Sequence, residues 1–66
     1  MDEQVRILEA RIRQMLALEC NARDIYSDLA AHCLDVARSE QLRQIAEDEA
    51  NHVAMEKEII ELLKNF

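Results

Sequence analysis

Val36-Ala37-Arg38-Ser39-Glu40-Gln41-Leu42 is the stretch at which a helical apolar pattern loses its phase. Upstream, steps of three and four residues trace Val5, Leu8, Ile12, Met15, Glu19, Ala22, Tyr26, Leu29, Cys33 and Val36. This alternating spacing marks a helix packed along a narrow seam. Glu19 is the one member that does not suit a core. The same phase carried onward meets Glu40, Arg43 and Glu47, all charged. A new seam starts out of register at Leu42 and runs through Ile45, Glu49, His52, Glu56, Ile59, Leu63 and Phe66. One straight helix cannot bury both stripes. Ser39 suits the N-cap of a second helix, with Glu40 adding favourable charge in its first turn. The pattern predicts a helix over about 3–37, a turn at about 38–39 and a helix over about 40–65. A continuous helix in an extended coiled coil is the alternative.

Composition points the same way, to a single all-α domain. Gly and Pro are absent, half of the 66 residues are apolar, and only Tyr26 and Phe66 are aromatic. A stock of Leu, Ile, Ala and Met favours helix over strand. The formal charge of −6 argues against nucleic acid as a partner, because phosphate binding draws on a surplus of Lys and Arg. No apolar run approaches ~20 residues, so no membrane span is expected. The opening MDEQVR has neither a basic n-region nor an apolar h-region, so the expectation is no signal peptide and a cytoplasmic location. Cys20 and Cys33, on the first helix, would lie ~20 Å apart along its axis and cannot bridge. They read as small buried thiols.

A chain this short buries too little apolar surface to offset its conformational entropy comfortably. A two-helix antiparallel hairpin has one apolar stripe per helix and no second layer to cover it. Two hairpins placed face to face make a four-helix bundle, so a homodimer is expected from burial alone.

Glu19, Glu49 and His52 sit where apolar residues belong, and an unpaired buried carboxylate costs several kcal/mol. Glu49 and His52 are three apart, so both can reach one ion. With a turn near 37–38, Glu19 falls level with the stretch from His52 to Glu56, an offset from Glu49 of about one turn that helix tilt can close. Two chains then supply four glutamates and two imidazoles, balanced by two divalent cations. Carboxylate with imidazole suits Fe, Mn or Zn, and lacks both the thiolates of structural zinc and the all-oxygen set of calcium. Iron is favoured because bridging carboxylates leave positions open for oxygen. Tyr26 is a candidate hydrogen-bond donor to a site carboxylate or an electron-transfer residue, against a packed core tyrosine. Glu56 is a candidate auxiliary or entry-site ligand, against an exposed residue at the bundle end. His32 reads as a surface residue near the turn, and Cys33 lies ~21 Å from Glu19, too far to share its metal.

These residues resemble the ferritin-like superfamily, in its rubrerythrin-like branch. Glu19-Cys-Asn-Ala-Arg-Asp-Ile-Tyr26 looks like the first ligand helix of rubrerythrins, and Ile45-Ala-Glu-Asp-Glu49-Ala-Asn-His52 looks like the second, with its Glu-x-x-His. The likeness covers about Met15 to Leu63. Rubrerythrins carry the pair twice in one chain, whereas here it occurs once. That departure brings the sequence closer to encapsulated ferritins, whose two-helix subunits build a ferroxidase centre at a dimer interface. The resemblance implies oxidation of Fe(II) to Fe(III) with Glu19, Glu49 and His52 as ligands of a di-iron site, in which the donor chemistry also admits Mn or Zn as substitutes. It also implies a ring of dimers and an encapsulin shell as partners. The sequence shows no tail of the kind that addresses such proteins into a shell, and no rubredoxin-like CxxC pair.

The leading expectation is therefore a ferroxidase serving iron storage or detoxification. From a different class, the alternative is a non-catalytic helical hairpin that dimerises as an adaptor. A di-metal oxidase acting on an organic substrate ranks third, since no substrate pocket is legible.

Overall fold

The computed structural model describes residues 3–65. Helix α1 spans Glu3–His32 and helix α2 spans Val36–Leu63. They fold back on each other as an antiparallel hairpin measuring 50 × 14 × 11 Å. All regular structure among the described residues is helical, and none of these helices is long and apolar enough to cross a membrane. Phe66, assigned above to the second seam, lies outside the described residues.

The turn occupies residues 33–35 rather than 38–39, and Asp35 rather than Ser39 caps α2. Asp35 has extended backbone angles, φ −83° and ψ 117°. Its Oδ1 accepts the Arg38 N–H at 3.0 Å, which satisfies one of the helix's unpaired first-turn donors. Ser39 already lies inside α2, with its N–H donating to the Asp35 carbonyl at 2.9 Å. Its hydroxyl donates to the Ala30 carbonyl at 2.8 Å, so one serine ties the start of α2 to the last turn of α1. No described residue has a positive φ. The chain therefore reverses direction without glycine, which is why the usual turn signal is missing from the sequence. Cys33 belongs to this turn and not to α1, and its thiol donates to the Asp35 carbonyl at 3.6 Å.

The seam between the helices is rotated from the expected one. Val5, Ile12, Glu19 and Tyr26 do line α1's inner face, but they alternate with Glu9, Leu16, Arg23 and Ala30. Leu8, Met15 and Leu29, expected inside, are exposed. The same happens on α2, where Ala46, Val53 and Ile60 are buried while Ile45 and Ile59 are exposed. Both substitutions move one residue along, and in an antiparallel pair equal shifts turn both displaced stripes toward the same side of the hairpin. The apolar stripe of each helix is wider than a single contact. Two helices bury one flank of it, and the other flank lies open along one face of the molecule.

The cap is directly testable. Asp35→Ala is expected to cost about 1 kcal/mol, and Asp35→Asn close to nothing, because Asn caps equally well. Urea denaturation at one fixed protein concentration measures both. If Asp35→Ala left the midpoint unchanged, the turn would have to lie elsewhere.

Candidate metal centre

The position of the turn sets the register that builds the site. Glu19 and Glu49 each lie fifteen residues from Leu34 at the tip, so at equal rise per residue the two carboxylates stand level. The offset of about one turn expected from a later turn is absent. Both positions are close to the middle of their helices. His52 follows Glu49 by three residues and projects from an adjacent part of the same face.

His52 Nδ1 lies 3.8 Å from Glu19 Oε2 and 3.9 Å from Glu49 Oε1. These separations are too long for hydrogen bonds. One donor atom from each of the three residues falls within 4.8 Å of the others. A triangle with such edges has its centre about 2.2–2.5 Å from each corner, near the ~2.0–2.2 Å of nitrogen and oxygen bonds to a transition metal. Two carboxylates and one neutral imidazole present two negative charges, which a single divalent cation balances. The donor set therefore fits an ion such as Fe, Mn or Zn on both geometry and charge. Glu19 and Glu49 side chains are 21% and 19% exposed, whereas His52 is 49% exposed. The carboxylates thus sit at the edge of the inter-helix seam, and the imidazole stands on the open apolar face. Three donors from one hairpin leave coordination positions free on that side.

No protein-family model, curated protein or solved structure matches this chain. The chemistry of the centre rests on its own residues.

Other sequence candidates fall outside the three-donor group. Tyr26 is half-buried on the same seam as Glu19, but two turns nearer the tip, ~10.5 Å along the axis. Glu56, expected to be exposed unless it served as a ligand, is only 6% exposed. Its Oε2 has no hydrogen-bond partner among the described residues. His32 is exposed and bonds through Nδ1 to the Asp28 carbonyl at 2.8 Å. Cys20 and Cys33 are free thiols. A shallow depression of about 430 Å³ lined by Glu58, Glu61, Leu62 and Asn65 lies near the end of α2, well away from the centre.

Sequence reasoning missed two charged members of the seam. Glu9 is half-buried and accepts from Arg13 at 3.2 Å, and Arg23 is half-buried beside Asp24 at 3.1 Å. Both lie one residue past a position read as core, Leu8 and Ala22. A wide stripe read as a narrow one conceals them.

Metal binding should show as stability. Empty, the centre holds two carboxylates close together, and an ion that binds only the folded hairpin raises its stability by mass action. At about a hundredfold excess over Kd the gain is ~2.7 kcal/mol, or on the order of 10–20 °C in Tm for a chain this small. Thermal scans across a Zn(II) or Mn(II) series measure it. Glu49→Ala should flatten the dependence, and an unshifted Tm in the wild type would exclude the site.

Proposed function

We propose that this chain is a ferroxidase of encapsulated-ferritin type, whose di-iron site forms when two hairpins pair into a four-helix bundle. The observation that carries this reading is the meeting of Glu19, Glu49 and His52 at mid-hairpin, with His52 standing on the open apolar face. A second hairpin laid on that face brings a second set of the same donors to the first. The resemblance of Glu19–Tyr26 and Ile45–His52 to rubrerythrin-like ligand helices supports iron as the metal.

Fe(II) is the substrate and dioxygen the oxidant. Anionic oxygen donors favour the higher charge of Fe(III), so Glu19 and Glu49 lower the cost of oxidation. The imidazole of His52 adds a neutral donor, which keeps the site from binding cations too tightly to release them. Pairing would cover Leu8, Met15, Leu29, Ile45 and Ile59, all exposed in the single hairpin, and would seal the centre from bulk water. One hairpin pair has no hollow interior. The ferric product therefore calls for an enclosing compartment, and an encapsulin shell is the partner the resemblance implies.

A second reading is a non-catalytic dimerisation or adaptor module, and the same open apolar face favours it, because that face needs a cover whether or not metal binds. The two readings separate by experiment. Stopped-flow absorbance after mixing anaerobic Fe(II)-loaded protein with oxygen should show rapid oxidation in the wild type. Glu49→Ala and His52→Ala should lose it while circular dichroism shows both variants helical, since one substitution removes a donor from each half of a symmetric site. Sedimentation should show Fe(II) shifting monomer toward dimer. Oxidation at wild-type rates in either variant would end the ferroxidase reading, and a dimer indifferent to metal would favour the adaptor.

A further inference from the structure

On the open face the two helices stand in level rungs. Counted from Leu34 at the tip, Leu8 and Ile59 lie twenty-six and twenty-five residues away, Met15 and His52 nineteen and eighteen, and Ala22 and Ile45 twelve and eleven. Each pair is within one residue, ~1.5 Å, of the same height. Met15 also precedes Glu19 by four residues, so the two share one ridge of α1. The middle rung thus sets a thioether at the height of the imidazole, on the face that lacks a cover. Met15 is 44% exposed there.

The other large apolar members of this face, Leu8, Leu29, Ile45 and Ile59, are saturated hydrocarbon and inert to mild oxidants. The remaining sulfurs among the described residues lie elsewhere. Met55 is 53% exposed but stands ~40° further round α2 than Ile59. Cys20 is about 140° round α1 from Met15, and Cys33 lies in the turn; both thiols are half-buried. A methionine in an apolar contact packs as readily as leucine, because its unbranched chain adapts to uneven gaps. Its sulfoxide is polar, and burying it without a hydrogen-bond donor is unfavourable. One added oxygen at Met15 therefore changes what the face can be buried against.

We propose that Met15 is a modification site through which hydrogen peroxide controls the pairing of two hairpins. The proposal rests on pairing across the open face and adds a switch to it. The thioether sulfur attacks one peroxide oxygen. An S–O bond forms as the O–O bond breaks, and the sulfur gives up two electrons. The departing hydroxide takes the proton left on the transferred oxygen, so the products are the sulfoxide and water. Peroxide is the two-electron reduction product of dioxygen, the oxidant of the proposed reaction. In the single hairpin Met15 is open to attack, and in the pair it is covered. A twofold pair holds two copies of Met15 in one interface, so oxidation of both chains places two sulfoxides there. The hairpin itself is undisturbed, because Met15 is outside the seam between α1 and α2.

The test begins with the full chain, diluted until monomeric and treated with hydrogen peroxide. Catalase quenches the reaction, and dithiothreitol, removed afterwards, reverses disulfides and sulfenic acids while leaving methionine sulfoxide in place. Peptide mass measurement locates the added oxygen, and sedimentation equilibrium with and without Mn(II) gives the dimer constant. Sulfoxide at Met15 should weaken pairing at least about tenfold, with the circular dichroism unchanged. Methionine sulfoxide reductase should restore pairing. Met15→Leu should pair like the wild type and keep pairing after the same treatment, although Met55 is oxidised. Met15→Gln, polar and unbranched, should pair weakly with no peroxide added. Full-strength pairing of wild-type chains that carry the Met15 sulfoxide would overturn the proposal. So would loss of pairing in peroxide-treated Met15→Leu, which would move the effect to Met55 or the thiols. Loss of helicity in the oxidised chain would show that Met15 supports the fold, and would overturn it as well. An untreated wild type that stays monomeric at every concentration, with and without metal, would overturn the pairing reading and this proposal together.

Discussion

In an antiparallel hairpin the turn decides which residues stand opposite each other. Moving its centre by one residue slides the facing positions by two, ~3 Å along the axis. Here the centre is Leu34, held by the Asp35 cap on one side and the Ser39–Ala30 hydrogen bond across it. That placement sets Glu19 level with Glu49. A turn centred four residues later would set Glu19 level with Lys57, about two turns past Glu49. Three side chains that meet within 4.8 Å would then be dispersed along the seam. Two hydrogen bonds at one end of a 50 Å hairpin thus determine whether a cluster exists at its middle.

The second constraint is that two helices have only one interface. Each helix here carries an apolar stripe broad enough for two neighbours, and the hairpin supplies one. Small residues on the seam, Ala30 near the tip and Ala46 one turn from Glu49, are buried and let the backbones approach. The larger side chains Leu8, Met15, Ile45 and Ile59 remain on the open face. His52 stands among them in the helical repeat. Where a candidate metal donor and an apolar surface share one face, burial of the surface and completion of a coordination shell would be a single event, and this is why the proposed pairing and the proposed chemistry are linked.

The two helices and the three polar residues that meet between them, Glu19, Glu49 and His52, were legible in the sequence because both rest on local periodicity. Seam positions seven apart, such as Val5, Ile12, Glu19 and Tyr26, stay on one face under either reading of the stripe. The intervening positions do not. Whether Leu8 or Glu9 turns inward depends on the partner helix, which no window of one helix contains. The turn was misplaced for a similar reason. Ser39 is a good N-cap by type, but Asp35 is as good and lies four residues earlier, and the absence of positive φ removed the glycine that would have decided between them. Glu56 was read as exposed or as a ligand because a carboxylate at a seam position has two cheap outcomes. The structure gives it a third, buried and without a hydrogen bond to Oε2.

Glu19, Glu49 and Glu56 all break the local rule that seam positions be apolar, and no Lys or Arg among the described residues forms an ion pair with any of them. The ion pairs Arg13–Glu9, Arg23–Asp24 and Lys64–Glu61 each have at least one exposed partner and contribute little. Only two thin helices share the burden, in a chain whose apolar burial is already marginal. Local rules broken without local compensation are expected where a ligand supplies the missing term. Free energy from a cation would act on the folded hairpin alone, because the unfolded chain does not hold Glu19 beside Glu49. On the proposed metal reading, the acidic seam would make the apo hairpin weaker and the loaded one stronger, so the same carboxylates would make its stability a function of the metal.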